Sequence, residues 1–207
     1  MKSLDEPKVS KFSEVVKVLN RISLESENEA VESITSLLRR VDREYIESLL
    51  RILRMDFGEA SRLLGTSLMK KIVSEAVASI TSLKLSEVEE LIEAGRISGI
   101  VSKKSSVLTE EGLSIGQVYQ RILEACRIRG KGSISSKSRV LASLLSKSSE
   151  EEAIFIINML TRGRKVVSDE LLIRALEETF NTSFRDNLIS EDFYEKVKRM
   201  IEECRMK

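Results

Sequence analysis

Apolar residues recur along this chain at the three- and four-residue spacing of an amphipathic helix, almost from one end to the other. The first such stripe runs from Phe12 through Val15, Val16 and Leu19 to Ile22. Further stripes lie within residues 31–38, 45–53, 68–80, 118–125, 140–145, 153–160, 171–176 and 193–201. Together with a short helix before Gly95, the pattern predicts an all-α fold of about ten to twelve short helices.

Polar residues at fixed offsets predict where several of these helices begin. Capping boxes, in which a serine and a glutamate three residues later bond each other's backbone, are expected at Ser26, Ser86 and Ser149. Single N-caps are expected at Asp42, Ser114, Ser168 and the pair Ser135-Ser136.

The periodicity weakens between residues 96 and 113, where polar and glycine residues accumulate. We interpret this stretch as a loop or a broken helix between two packed halves, residues 1–95 and 114–207, which are similar in helix count. The whole chain, 1–207, is predicted to form a single helical domain, since its length suits one domain of ordinary size.

The composition narrows the class of protein. A single proline and nine glycines leave too few breaks for an all-β fold. No apolar run approaches the roughly 20 residues of a membrane span, and the N-terminus lacks the apolar core of a signal peptide. Cys126 and Cys204 are too widely separated for a zinc motif and give no disulfide framework. We expect a cytoplasmic protein with reduced cysteines and no membrane partner.

Several catalytic classes are missing. The chain has no histidine, which excludes Ser-His-Asp and Cys-His catalysis and histidine-ligated metals. There is no phosphate-binding loop of the GxxxxGK[ST] type and no GxGxxG after a strand. The tripeptide Asp56-Phe57-Gly58 has none of the other kinase motifs around it. The sequence therefore predicts no active site, no metal and no cofactor.

Positive charge is concentrated locally in a chain whose formal net charge is only +1. Between residues 121 and 147 the single acid Glu124 stands against seven basic residues: Arg121, Arg127, Arg129, Lys131, Lys137, Arg139 and Lys147. The run surrounds the turn Gly130-Lys131-Gly132-Ser133, and a second basic turn, Arg162-Gly163-Arg164-Lys165, follows one helix later. Glycine turns at helix starts are typical of phosphate binding, although a basic run is also typical of a solvated face.

The same residues carry a family resemblance. The region from Leu113 to Phe180 resembles the second half of the N-terminal DNA-binding domain of ATP-dependent DNA ligases of the archaeal and eukaryotic replicative type. The first half is similar at Phe12-Ser13-Glu14, Asp56-Phe57 and Gly65. The matching positions of the second half are Gly130-Lys131-Gly132-Ser133, Lys137, Arg139, Leu144-Leu145, Glu152-Ala153, Arg164 and Ala175-Leu176.

The resemblance implies a helical module that grips nicked duplex DNA through the minor groove and the phosphates, in replication, repair and recombination. It implies phosphate contacts for Gly130, Gly132, Ser133, Lys137 and Arg164. Lys131, Arg139, Arg162 and Lys165 would add electrostatic support. The Lys-x-Asp-Gly motif of the ligase lysine–AMP intermediate does not occur. Alone, the polypeptide is therefore not expected to seal a nick. A ligase catalytic domain acting in trans and a sliding clamp are further partners implied by the family.

Two departures from the family leave an alternative open. The family's Gly-Asp-Leu-Gly is replaced by Gly95-Arg96-Ile97-Ser98, and its Leu-Arg-Leu-Gly by Gly163-Arg164-Lys165-Val166. The glycine lost at Val166 is the best support for a second hypothesis, in which the chain is a free-standing helical scaffold that binds a protein of the replication and repair machinery. An unknown kind of enzyme is disfavoured by the missing motifs.

Overall fold

A computed structural model of the protein describes residues 8–59, 64–102, 112–163, 165–183 and 193–203. Within these ranges the secondary structure consists of α-helices and two isolated β-bridges, so the predicted all-α fold is confirmed. The described helices are α1 (Phe12–Ile22), α2 (Glu27–Arg40), α3 (Arg43–Leu53), α4 (Thr66–Ile80), α5 (Leu85–Glu93), α6 (Ser98–Val101), α7 (Ile115–Arg127), α8 (Ser133–Lys147), α9 (Glu150–Arg162), α10 (Asp169–Phe180) and α11 (Phe193–Glu203).

Most predicted helix starts are confirmed by their hydrogen bonds. The Ser26 amide donates to Glu29 Oε2 at 2.9 Å, which closes the first capping box. At the start of α9 the bonding is reciprocal: the Ser149 amide donates to Glu152 Oε2 at 2.8 Å, and the Glu152 amide donates to Ser149 Oγ at 3.2 Å. Ser114 and Ser168 accept from the backbone amides three residues ahead in the same way.

Two predicted starts are wrong. The helix expected to begin at Ser86 has its N-cap at Lys84, whose amide donates to Glu87 Oε2 at 2.8 Å. The helix expected after Ser135-Ser136 begins at Ser133, because Gly132 takes the N-cap position in a left-handed conformation. Lysine is uncommon at N-caps, and glycine has no side chain that could accept a capping bond, so a search for serine or aspartate places both starts too late.

The helices of the two predicted halves pack against each other throughout. Helix α2 lies against α10, α3 against α7, and α4 against both α8 and α9. The buried apolar side chains form one continuous core, which includes Phe12, Leu50, Ile122 and Leu172. The 96–113 stretch therefore separates the halves in sequence but not in packing. That the whole chain is a single domain stays a prediction.

That stretch is in part a broken helix. Ser98–Val101 form the short helix α6, within which Ile100 is fully buried. Residues 103–111, with Lys103 and Lys104, lie outside the described residues. No helix in the ranges that the structure describes is long and apolar enough to cross a membrane.

The extended segment of residues 8–11 connects the two halves. The Val9 amide donates to the Arg40 carbonyl at 2.8 Å, and the Asp42 amide donates to the Val9 carbonyl at 3.0 Å. On its other side, the Ile115 amide donates to the Ser10 carbonyl at 3.0 Å. The segment is therefore tied both to the α2–α3 corner and to the first turn of α7.

Candidate nucleic-acid interface

Residues 128–132, which we call the glycine turn, join α7 to α8 and lie at the surface. Gly130 and Gly132 have φ values of +91° and +77°, a region that other residues adopt only with strain. Arg129 and Lys131 alternate with them and are exposed. The turn therefore presents backbone and basic side chains together beside the N-terminus of α8, where the helix dipole favours an anion.

Exposed positive charge lies in the glycine turn and along the two helices that the turn joins. Arg121 is paired with Glu124, with 2.9 Å between Nη1 and Oε2, so the one acidic residue of the run neutralises the basic residue farthest from the turn on α7. No ion pair is found in the described ranges for five exposed basic residues of the run: Arg127, Arg129, Lys131, Arg139 and Lys147. These side chains are available to a polyanion.

The resemblance read from the sequence implies a surface position for Lys137, but the structure places it in the interior. Its side chain is buried, with 3% of its surface exposed, and its ammonium donates to the carbonyls of Ala125 and Cys126 at 2.8 and 3.1 Å. These carbonyls end α7, where a cation is favourable. Burial lowers the pKa of the Lys137 ammonium. In this position Lys137 does not face solvent, whereas the phosphate contact implied for it requires a surface position.

The second basic turn is packed against the start of α4. Gly163 ends α9 with a φ of +60°, and a Cβ added to it would lie 2.7 Å from Thr66 Oγ1. Arg162 just before it is exposed, whereas Arg164 lies outside the described residues. Glycine at 163 is therefore needed both for the backbone conformation and for close contact with α4.

The rest of this turn is held by α3 and α10. Lys165 forms an ion pair with Asp169, so part of the positive charge of Lys165 is already compensated. Asp169 Oδ1 also lies 3.5 Å from Arg54 Nε. The Val166 amide donates to the Leu53 carbonyl at 3.0 Å, and its side chain packs against the core. Among the described non-glycine residues a positive φ occurs at Met55 and Asn181 only, so Val166 adopts an ordinary conformation that needs no glycine.

Helices α8 and α9, which adjoin the two basic turns, both pack against α4. A cavity of about 10 Å³ is lined in part by Lys137 of α8 and by Leu160, which lies two residues before Arg162. A larger open groove of about 520 Å³ runs beside Arg162 and is also lined by Lys70, Gly95 and Asn158. Thr66 at the start of α4 also lines this groove, a neighbour that is not among the residues predicted from the sequence. The sequence does contain a signal for this neighbour, because Gly65-Thr66 followed by Lys70 has the same spacing as Gly132-Ser133 followed by Lys137.

The cysteine and acidic side chains of the described ranges are the candidates for metal and thiol chemistry. No group of three or more cysteine, aspartate or glutamate side chains in them is arranged to hold a metal ion. Cys126 is buried, and burial raises the pKa of its thiol to about 11, so it is an unreactive thiol at neutral pH. Cys204 lies outside the described residues.

Comparison with known proteins gives a consistent result. The sequence model of the family described as DNA ligase N terminus matches residues 11–177. The chain is similar to the DNA ligase of Pyrobaculum islandicum, with 28% identity over 82% of this chain and 31% of that protein. It is also similar to the DNA ligases of Pyrobaculum calidifontis, at 27% identity over 83% of the chain and 32% of that protein, and of Sulfurisphaera tokodaii, at 27% over 84% and 31%.

The extent of these matches agrees with the resemblance read from the sequence. The chain spans about one third of the length of the curated relatives it matches. The family match includes α1 to α9 and most of α10, and so contains both basic turns. This chain therefore belongs to the family of DNA ligase N-terminal regions.

Proposed function

We propose that this chain binds duplex DNA at a nick, without sequence preference, as the DNA-binding module of an ATP-dependent DNA ligase in replication, repair and recombination. The observation that carries the proposal is the exposed glycine turn, flanked on α7 and α8 by basic side chains for which the described ranges show no ion pair, in a chain of the ligase family. A turn of this kind offers backbone amides and cations to phosphates, which carry no base identity.

The proposed contact has two parts. The first is the glycine turn with the start of α8, where Gly130, Lys131, Gly132 and Ser133 would face phosphate and Arg139 would add positive charge. The second is the Arg162–Gly163 turn with the neighbouring start of α4. Two basic turns at helix junctions suit a duplex, whose backbone presents phosphates at regular intervals on both sides of a break.

In this proposal the chain takes no part in the chemistry. Transfer of AMP and joining of the strands belong to ligase catalytic domains, either in the same polypeptide or in a second one acting in trans. The described surface offers basic turns, in keeping with a holding role. A sliding clamp is a further proposed partner, by family analogy alone.

The alternative of a protein-binding scaffold loses its main support. It depended on the glycine replaced by Val166, taken as a sign of a changed contact loop. Because the Val166 backbone is not left-handed and its amide is bonded to Leu53, valine is compatible with this loop as it stands.

The salt dependence of binding tests the proposal. We expect a fluorescent nicked duplex to bind at low salt, and its affinity to fall with a log–log slope of about −4 to −5, for about five neutralised phosphates. Changing Lys131 to Met removes one contact, so the slope should become shallower by about 0.9 at every DNA sequence tested.

Lys17→Met is the matched control, because Lys17 is an exposed lysine on α1, outside both turns. It should leave affinity and slope unchanged. Absence of a DNA shift at low salt, or a slope near zero, overturns the proposal. An effect of Lys131→Met confined to particular sequences would indicate base readout instead.

A further inference from the structure

Lys137, the buried lysine on α8, bonds the end of the helix on the other side of the glycine turn. Lys137 Nζ lies 2.8 Å from the Ala125 carbonyl and 3.1 Å from the Cys126 carbonyl. Both acceptors belong to the last turn of α7, whose carbonyls have no partner within the helix. The lysine therefore connects the end of α7 to α8 directly.

The covalent path between these two points passes through the glycine turn. Cys126 and Lys137 are eleven residues apart, so the ammonium closes a short loop with Gly130 and Gly132 at its centre. Glycine has more backbone conformations available than any other residue. Fixing both ends of the loop reduces the number that this turn can adopt.

The Lys137 ammonium lies beside apolar side chains, and the two acceptors that it bonds are both backbone carbonyls. Apolar residues line the adjacent cavity, among them Leu64, Leu141 and Leu160. In the described ranges no carboxylate pairs with the ammonium, and the neighbouring ionisable groups are the Cys126 thiol and Arg129. A methionine would fill this apolar space without the desolvation cost of a cation. What the lysine adds is two hydrogen bonds at a fixed place.

We propose that Lys137 is a positioning residue of the DNA interface, which holds the glycine turn in its phosphate-binding conformation by tying α7 to α8. The inference rests on the proposed function and deepens it. Lys137 is a positive residue in a basic run, but it acts through the turn and does not touch DNA. Pre-organisation of this kind strengthens binding by lowering the entropy lost when the complex forms.

The test compares Lys137→Met with Lys131→Met in the full chain. For each variant, binding of a nicked duplex is measured across salt concentrations, and the mobility of the Gly130 and Gly132 amides is measured by nitrogen-15 relaxation without DNA. We expect Lys137→Met to weaken binding by about tenfold with an unchanged salt slope, and to make both glycine amides more mobile. Lys131→Met should make the slope shallower and leave the amides as they were.

The outcomes separate this inference from the proposed function. A shallower slope with unchanged amide mobility in Lys137→Met indicates a direct phosphate contact and overturns the positioning role. Unchanged affinity and unchanged mobility overturn it as well. More mobile amides in Lys137→Met, combined with unchanged affinity in both variants, overturn the proposed DNA contact of the turn but not the tie between the helices.

A measurement on the unaltered protein keeps the inference testable if Lys137→Met does not fold. A buried, hydrogen-bonded ammonium exchanges its protons slowly enough to be followed by NMR at neutral pH. The Lys137 ammonium signal should persist and stay in place when nicked duplex is added. Movement of that signal together with fast proton exchange shows that the ammonium is at the surface and overturns the proposal.

Discussion

The guanidinium of Arg51 lies over the ring of Tyr194, with 3.8 Å between Cζ and the ring centroid. This contact joins α3 to α11, the last described helix. Arg51 is itself oriented by Glu47 at 2.9 Å and Asp56 at 3.4 Å. Phe193 beside Tyr194 is fully buried and lies next to Arg54. The C-terminal helix is thus attached by two aromatic rings that pack on two arginines.

Removing the Tyr194 ring should detach α11. We expect Tyr194→Ala to lower the free energy of unfolding by about 3 kcal/mol, since it loses both apolar burial and the cation–π contact. Tyr194→Phe is the control and should cost less, about 1 to 2 kcal/mol, because it keeps the ring and loses only the hydrogen bonds of the hydroxyl, one with Asp56 and a long 3.5 Å bond accepted from Arg54. Urea unfolding followed by circular dichroism measures both. Equal losses in the two variants would contradict the ring's role.

The close contact of Gly163 with Thr66 predicts an unusual pattern for alanine substitutions. Gly163→Ala should destabilise by about 2 kcal/mol, through left-handed strain and a clash with Thr66 Oγ1. Gly65→Ala meets no atom within 4 Å and has a negative φ, so it should be tolerated.

The double variant Thr66→Ala/Gly163→Ala separates the two causes. It should recover the part of the loss that comes from the clash, because the side-chain atoms of Thr66 that would be struck are gone. Thermal unfolding is measured for the unaltered protein, Gly163→Ala, Thr66→Ala and the double variant. Additive losses in the double variant would show that the clash is absent.

Capping provides a prediction about helix starts. Ser149→Ala should cost about 1 kcal/mol, because the Glu152 amide loses its bond to the serine hydroxyl. Ser135→Ala should be neutral or stabilising by a few tenths of a kcal/mol, because Ser135 lies exposed inside α8 rather than at its N-cap. Denaturant unfolding distinguishes them, and a loss of similar size at Ser135 would place the start of α8 where the sequence pattern put it.

The buried thiol of Cys126 predicts a dependence of stability on pH. Burial raises its pKa to about 11, so above the pKa of the unfolded thiol the folded state holds a proton that the unfolded state has lost. Stability therefore falls as the pH rises through this window. Relative to Cys126→Ala, the protein should lose about 1 kcal/mol between pH 7 and pH 10.

The Cys126→Ala comparison is made at each pH, so that the constant cost of the smaller side chain cancels. The neighbouring Lys137 contributes with the opposite sign, because burial lowers its pKa and the unfolded state then binds more protons. A difference between the two proteins that stays constant from pH 7 to pH 10 would show that the thiol titrates normally in the folded state.

The helices were largely predictable because their apolar stripes and serine caps are local signals. The start of α8 was not, since Gly132 takes the cap position by its left-handed backbone, which no residue pattern states directly. The packing of Arg51 on Tyr194 was also out of reach, because nothing in either neighbourhood specifies a partner so distant in the chain.

The position of Lys137 shows where charge counting misleads. Counted as one of seven basic residues, it looks like a surface cation. Yet it precedes Leu141, Leu144 and Leu145 by four, seven and eight residues, which places it on the buried face of α8. The periodicity therefore held the information that the local charge concealed. The glycine turn itself, with exposed Arg129 and Lys131, is placed at the surface as the sequence predicts.

The way that early and late segments are bonded together constrains when this chain can fold on the ribosome. Val9 and Ser10 bond to residues on both sides of the sequence midpoint, and Thr35 Oγ1 donates to the Ala175 carbonyl 140 residues later. An emerging N-terminal half thus exposes the face of α2 that α10 will cover. Because synthesis adds about 5–20 residues per second, that apolar surface stays open for several seconds and needs protection from aggregation until the last helices arrive.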